Sequence, residues 1–493
     1  MDSTGVGGLD QVLAGGLPKN RLYLIEGGAG AGKTTLALQF LLEGVRLKEP
    51  ALYVVTAEAR DEVEQAAASH GWTFDGVEVL ELQAPAGDAD GDEQYTVFHP
   101  SEVQLDEATK VLVEALDRVR PVRVVIDSIT GLRLLAQTPA RYRQQVLLLK
   151  RALARHGATV LLLDDLAEHT RDLQLRSVVH GIISLHRVAP RYGGVRRQLE
   201  VAKLRGVDYR GGFHDFAIRR GGLAVFPRIV IDEHHRAFTP DVTPSGLPGL
   251  DTMLGGGLTR GTSTVIIGPA GVGKSSLTTR YALAAAERGE HAVVYTFDET
   301  YETYLTRSEG LGLDARKHIA GGRLTVHQID PAEWSAGEFV HNLRTAVEQR
   351  NTRLVVIDSL NGYLHALPDK DLLLVQLHEL LTYLNQRGVL SLLVMAQHGL
   401  LGPALESPAD VSYLADSVLL LRYFEAAGTV RQAISVFKKR TGSHERTIRE
   451  FTLGKNLAVG DALHEFQGVL TGVPHFVGER NALSGEGNAR DRK

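Results

Sequence analysis

The chain has no cysteine in 493 residues, three methionines and two tryptophans. The missing thiols exclude disulfides, thiolate metal centres and cysteine nucleophiles. No apolar run approaches the ~20 residues of a membrane-crossing helix. The opening MDSTGVGGLD has neither a basic region nor an apolar core. No secretory leader is read there, so a cytoplasmic location is the default expectation. Positive charge is not in excess either: 54 Lys and Arg against 59 Asp and Glu leave a formal net charge of −5. That balance argues against a globally basic nucleic-acid binder, although a local basic channel stays open. At 43% hydrophobic residues, the chain can bury real cores and is long enough for two large domains or about three average ones.

Glycine is plentiful, and two glycine-rich stretches nearly copy each other: LIEGGAGAGKTT in the first half and IIGPAGVGKSS in the second. Both fit G-x-x-x-x-G-K-[ST], at Gly27–Thr34 and Gly268–Ser275. Gly28, Gly30 and Gly32, and later Gly271 and Gly273, let backbone N–H groups wrap a polyphosphate. Lys33 and Lys274 can reach its outer phosphates, while Thr34 and Ser275 offer a hydroxyl to Mg²⁺, with Thr35 and Ser276 beside them. Each motif follows a short apolar strand and opens a helix-like run, which is the context it requires. The expected ligands are ATP and Mg²⁺.

More than the glycine loop is repeated. TGVGGLDQVLAGGL at Thr4–Leu17 matches SGLPGLDTMLGGGL at Ser245–Leu258, VVIDSITG matches VVIDSLNG, and LEVAKLRG matches ISVFKKRTG. Collinear pairs at nearly constant offset mean two copies of one domain. Residues 1–228 and 245–480 are the two expected domains, 229–244 a linker, and 481–493 a disordered tail. His234 and His235 in the linker read as surface histidines, since no further metal ligand stands at suitable spacing. Strands are expected at 51–56, 122–126 and 159–163, with partners at 292–297, 354–357 and 389–396. Continuous apolar strands between helices make each copy an α/β domain with a mostly parallel sheet covered on both faces.

Carboxylates stand at strand ends, where ligands bind in such sheets. Asp127 and Asp358 end the VVID strands and are candidate Mg²⁺ holders, or else helix caps. Glu58 in TAEAR, and Asp298 with Glu299 in TFDET, could orient or deprotonate the nucleophile that attacks the γ-phosphate, or could simply start a helix.

This ordered set, with the late K-x-R motifs, resembles the KaiC family of tandem RecA-like P-loop ATPases, across roughly residues 4–480. The resemblance implies a homohexameric double ring with nucleotide between subunits. Lys203 with Arg205, and Lys438 with Arg440, would then reach the neighbour's nucleotide. It also implies Ser/Thr autokinase activity, with Ser412 as phosphoacceptor and Tyr413 in place of a threonine, and a KaiB-like or response-regulator/histidine-kinase partner. The chain departs from the family pattern at Ala59, which removes a second acid, at Asp298, which shortens one, and at Tyr209, which replaces a histidine. Two alternatives stand beside this reading. One is a DNA-dependent ATPase using the arginine-rich segment 187–197, and nucleic acid is the less favoured partner. The other is an ATP-assembled scaffold without kinase activity.

Overall fold

In a computed structural model of the chain, residues 1–56, 58–82, 100–136, 138–165, 173–190, 193–230, 237–364, 370–397, 413–470 and 475–477 are described. Ser412, His234, His235, Arg191 and the expected tail lie outside the described residues. The chain divides into two compact units, Met1–Arg228 and Ile229–Lys493.

Each unit is built on a nine-stranded sheet. From edge to edge the first runs Val77–Glu81, Ala51–Val55, Arg123–Asp127, Thr159–Asp165, Leu22–Gly27, Gly181–Val188, Arg196–Leu204, Phe213–Arg219 and Gly222–Phe226. The second repeats this order with Leu324–Gln328, His291–Thr296, Thr352–Asp358, Leu390–Ala396, Ser263–Gly268, Ser417–Ala426, Thr429–Lys439, Ile448–Thr452 and Ala458–Ala462. The strands up to Gly181–Val188, and up to Ser417–Ala426, pair in parallel. Beyond them each sheet continues as an antiparallel extension.

Alternation along the strands feeds two cores per unit. In the first, Tyr23, Ile25, Tyr53 and Val125 meet Leu36, Ala37 and Phe40 of helix Lys33–Arg46. On the other face, Leu22, Leu24, Val54 and Ile126 meet Val146, Leu149 and Leu153 of helix Pro139–His156. Each such side chain contributes about 1.5–3 kcal/mol on full burial. The second unit repeats the plan, and Ile229, at the start of the expected linker, is buried in its core with Val265, Val293 and Val355. Among the described residues no helix is long and apolar enough to cross a membrane.

One buried charge distinguishes the copies. Arg123 is wholly buried, donating to Glu49 Oε2 (2.7 Å) and to the carbonyls of Ser3 (2.6 Å) and Phe40 (2.9 Å). A side chain at Gly44 would meet Arg123 Cδ at 2.5 Å, so the glycine makes room for it. By register, Leu354 takes the same place in the second sheet. Arg123→Ala should remove three hydrogen bonds and leave a cavity, costing about 3–5 kcal/mol. Denaturant titration in a Trp334→Phe background, where Trp72 on the first core becomes the only tryptophan reporter, checks this. A loss under about 1 kcal/mol would show the buried charge to be dispensable.

Candidate functional site

Strand Leu22–Gly27 lies between two parallel neighbours and delivers its loop to the carboxyl edge of the sheet, where helix Lys33–Arg46 begins. Strand Ser263–Gly268 and helix Lys274–Glu287 do the same in the second unit. The residues capping these helices, Gly32 and Gly273, have φ of 109° and 103°. A side chain would be strained there, so the motif's last glycine is a backbone requirement. Lys33 Nζ folds back to donate to the carbonyls of Gly27 (2.8 Å) and Gly28 (3.1 Å). Lys274 Nζ donates to those of Gly268 (2.8 Å) and Pro269 (2.6 Å). Thr35 Oγ1 lies 3.3 Å from His70 Nε2, and Ser276 is buried.

The hydroxyl and carboxylate expected to hold a metal meet in both units. Thr34 Oγ1 donates to Asp127 Oδ2 (3.1 Å), which also accepts from Tyr53 OH (2.6 Å). Burial raises the Asp127 carboxyl above its usual range, against these two hydrogen bonds. The Asp358 carboxyl is pushed up to about 6, chiefly by burial, while a hydrogen bond from Ser275 and the charge of Arg307 pull it back. Paired oxygen donors beside a phosphate-binding loop suit a hard divalent cation.

The second cleft encloses about 520 Å³ and is lined by Gly271, Gly273, Lys274, Ser275, Ser276, Asp298, Glu299, Arg307, Asp358 and Ser359, among others. Its two adjacent acids diverge. Asp298 accepts a hydrogen bond from the Ser359 hydroxyl. Glu299 is gripped bidentately by Arg307, through Nε (2.9 Å) and Nη2 (3.0 Å). Among the described residues the first unit has no such clamp, because helix Arg60–Ser69 carries alanines at the matching turn. Glu58 is exposed. Its carboxyl is nevertheless raised, first by desolvation and then by Asp127, Glu62 and Asp165.

The basic pairs engage main-chain carbonyls. Lys203 Nζ donates to the Arg176 carbonyl (2.7 Å) and Arg205 to that of Ser177 (3.2 Å). Lys438 Nζ donates to the Ala415 carbonyl (2.7 Å) and Arg440 to that of Tyr413 (3.3 Å). Neither Lys438 nor Arg440 lines the second cleft. Tyr413 is exposed, whereas Tyr209 packs partly buried on the first core.

Sequence reading missed three groups. Asp165 pairs with Lys33 at 2.7 Å, and Ala396 occupies its register position in the second sheet. The doubled acid of LLLDD, set against LLVMA, was the available signal. Arg307 stands in a stretch with no motif. Arg187, first of the arginine-rich segment, reaches the phosphate loop: a side chain at Gly30 would lie 3.9 Å from its Nε. The matching hairpin of the second unit brings Tyr423 OH to the Ala270 carbonyl (3.2 Å).

A phosphate loop leaving the middle of a mostly parallel sheet, with a half-buried aspartate on the second strand over, defines a RecA-like nucleotide-binding domain, present here twice. The family model for the KaiC ATPase matches residues 3–229 and again 243–459, and the chain belongs to that family. Among its relatives is the circadian clock oscillator protein KaiC of Parasynechococcus marenigrum, 26% identical over 98% of this chain and 94% of that protein. Circadian clock protein KaiC3 of Synechocystis sp. is 26% identical, covering 97% and 95% of the two chains.

The Lys33–Asp165 ion pair competes with any phosphate for the same ammonium. Asp165→Ala should therefore tighten nucleotide binding at the first site, by about tenfold if one charge-assisted contact is relieved. Titration in a Lys274→Ala background measures this. Weaker binding would mean that Asp165 helps to hold the nucleotide.

Proposed function

We propose that the chain is an ATP-hydrolysing double-ring protein whose second tier is also a Ser/Thr autokinase. The observation that carries this reading is the convergence of lysine, hydroxyl and carboxylate in both units: Lys33, Thr34 and Asp127, and Lys274, Ser275 and Asp358. The loop N–H groups and the lysines hold the phosphates of ATP. Mg²⁺, held by Thr34 with Asp127 and by Ser275 with Asp358, would supply charge neutralisation at those phosphates. Glu58 orients the attacking water in the first tier and takes its proton, a role that its raised carboxyl suits. Asp298 or Glu299 does the same for an acceptor hydroxyl in the second.

Lys203 with Arg205, and Lys438 with Arg440, act across the subunit boundary of a homohexamer, where cations stabilise charge on the transferring phosphoryl group. Their engagement with carbonyls outside the second cleft supports this for Lys438 and Arg440. The phosphoacceptor is Ser412, beside Tyr413, whose carbonyl Arg440 holds. The two relatives are circadian clock proteins. That supports, for this chain, the reading of a signalling or timing role in the cytoplasm, read out by a KaiB-like or response-regulator/histidine-kinase partner.

Glu58→Gln should slow hydrolysis by about 10²-fold or more while leaving nucleotide affinity unchanged. Steady-state turnover with the second site disabled by Lys274→Ala measures it, and unaltered turnover removes Glu58 from the mechanism. Native mass with and without Mg-ATP should show a nucleotide-driven hexamer. Phosphopeptide mapping of that assembly should find phosphate on Ser412, little on Tyr413, and none in Ser412→Ala or Lys274→Ala. An assembled, ATP-loaded ring without phosphoserine would leave a plain double-ring ATPase.

A further inference from the structure

A second concavity of the Ile229–Lys493 unit, about 460 Å³, lies at the opposite edge of the sheet from the phosphate loop. Its walls come from the starts of strands His291–Thr296, Leu324–Gln328 and Thr352–Asp358, and from the end of helix Ala336–Arg350. Arg260, Arg323, Arg350 and Arg353 line it, against the carboxylates of Asp241 and Glu290. Arg260 is paired with Glu290. Arg323 and Arg350 are positioned by neutral acceptors instead, the Gly289 carbonyl and Thr325 Oγ1 (2.8 Å) respectively. A guanidinium fixed this way keeps its full charge and has N–H groups left to offer. At one wall His291 is buried, with its ring nitrogens on Thr352 Oγ1 (2.8 Å) and Thr325 Oγ1 (3.0 Å). Burial first, then the charges of Arg350 and Arg323, depress it to about 4. It is therefore neutral at pH 7, and the surplus of positive charge around it comes from the arginines.

The duplication shows that this cluster is not a by-product of the fold. By strand register and motif offset, Arg323 corresponds to Gly76, Arg350 to Val119, Arg353 to Val122 and His291 to Pro50. Only Arg260, opposite Lys19, has a cationic counterpart. The first copy thus has a cation at only one of these four positions, with Arg120 standing instead opposite the cavity-lining Asn351.

We propose that this cavity is a binding site for a small polyphosphate anion, such as pyrophosphate, tripolyphosphate or the polyphosphate arm of a nucleotide, and that it is separate from both phosphate-loop sites. Planar guanidinium groups match phosphate oxygens bidentately, and several converging arginines call for a ligand of several negative charges. A concavity of this volume fits a small molecule.

The test uses the full chain. AMPPNP, a non-hydrolysable nucleotide, is titrated to saturation with Mg²⁺, and inorganic pyrophosphate or tripolyphosphate is then added in a calorimeter. Two AMPPNP per chain followed by one tripolyphosphate or pyrophosphate would identify a free polyphosphate site. Three AMPPNP per chain would identify a nucleotide site. In either case Arg323→Ala/Arg350→Ala should weaken the third event by about tenfold or more. The same variant should keep two loop-bound nucleotides, which reports an intact fold. The proposal is overturned by no third event, by a third event unchanged in the double variant, or by uptake of poly-glutamate where neither phosphate binds. The two loop-bound equivalents are counted independently, so their loss would count against the ATPase reading and not against this site.

Discussion

An ammonium group buried inside a glycine-rich loop is the constraint around which both halves are organised. Lys33 and Lys274 are each buried. An isolated buried charge is costly, so each lysine is ringed by carbonyls that its own loop turns inward. Even so, burial pushes Lys274 down to about 8, against the pull of Asp358 and Asp298. Those carboxylates can sit so near only because parallel strands end together at one edge of the sheet. The glycines at φ near 100°, the strand-end aspartates and the helix start all follow from placing that one cation.

The two halves meet the constraint differently. The first supplies a direct partner, Asp165, and leaves Glu58 exposed. The second has alanine at the Asp165 position and spends an arginine, Arg307, on clamping Glu299 beside Asp358. Over the phosphate loop the first hairpin carries Arg187 and the second Tyr423. One scaffold therefore holds two electrostatic environments, the more fitting since the proposed tiers differ in task, hydrolysis against phosphoryl transfer.

The duplication, the parallel strands and the nucleotide loops were legible because each is written locally: a periodic apolar run, a glycine where the backbone demands one, an aspartate closing VVID. Strand limits fell within about two residues of those observed, the usual tolerance at element ends. The antiparallel extension was not legible, since strands such as Arg196–Leu204 are only partly buried and give no continuous apolar run. Asp165, Arg307 and Arg187 were missed for a different reason. Each matters through a partner distant in sequence, and no local pattern announces such a pairing. The partners of the adjacent acids Asp298 and Glu299, Ser359 and Arg307, likewise required the fold.

The order of strands has a consequence in time. Leu22–Gly27 emerges from the ribosome early, yet its hydrogen-bonding neighbours are Thr159–Asp165 and Gly181–Val188, near the far end of its unit. The same lag recurs for Ser263–Gly268, which waits for Leu390–Ala396 and Ser417–Ala426. In each half the glycine loop is translated among the first segments and acquires its setting among the last. A chain cut short within either half would carry the complete motif and lack the sheet that makes it a site.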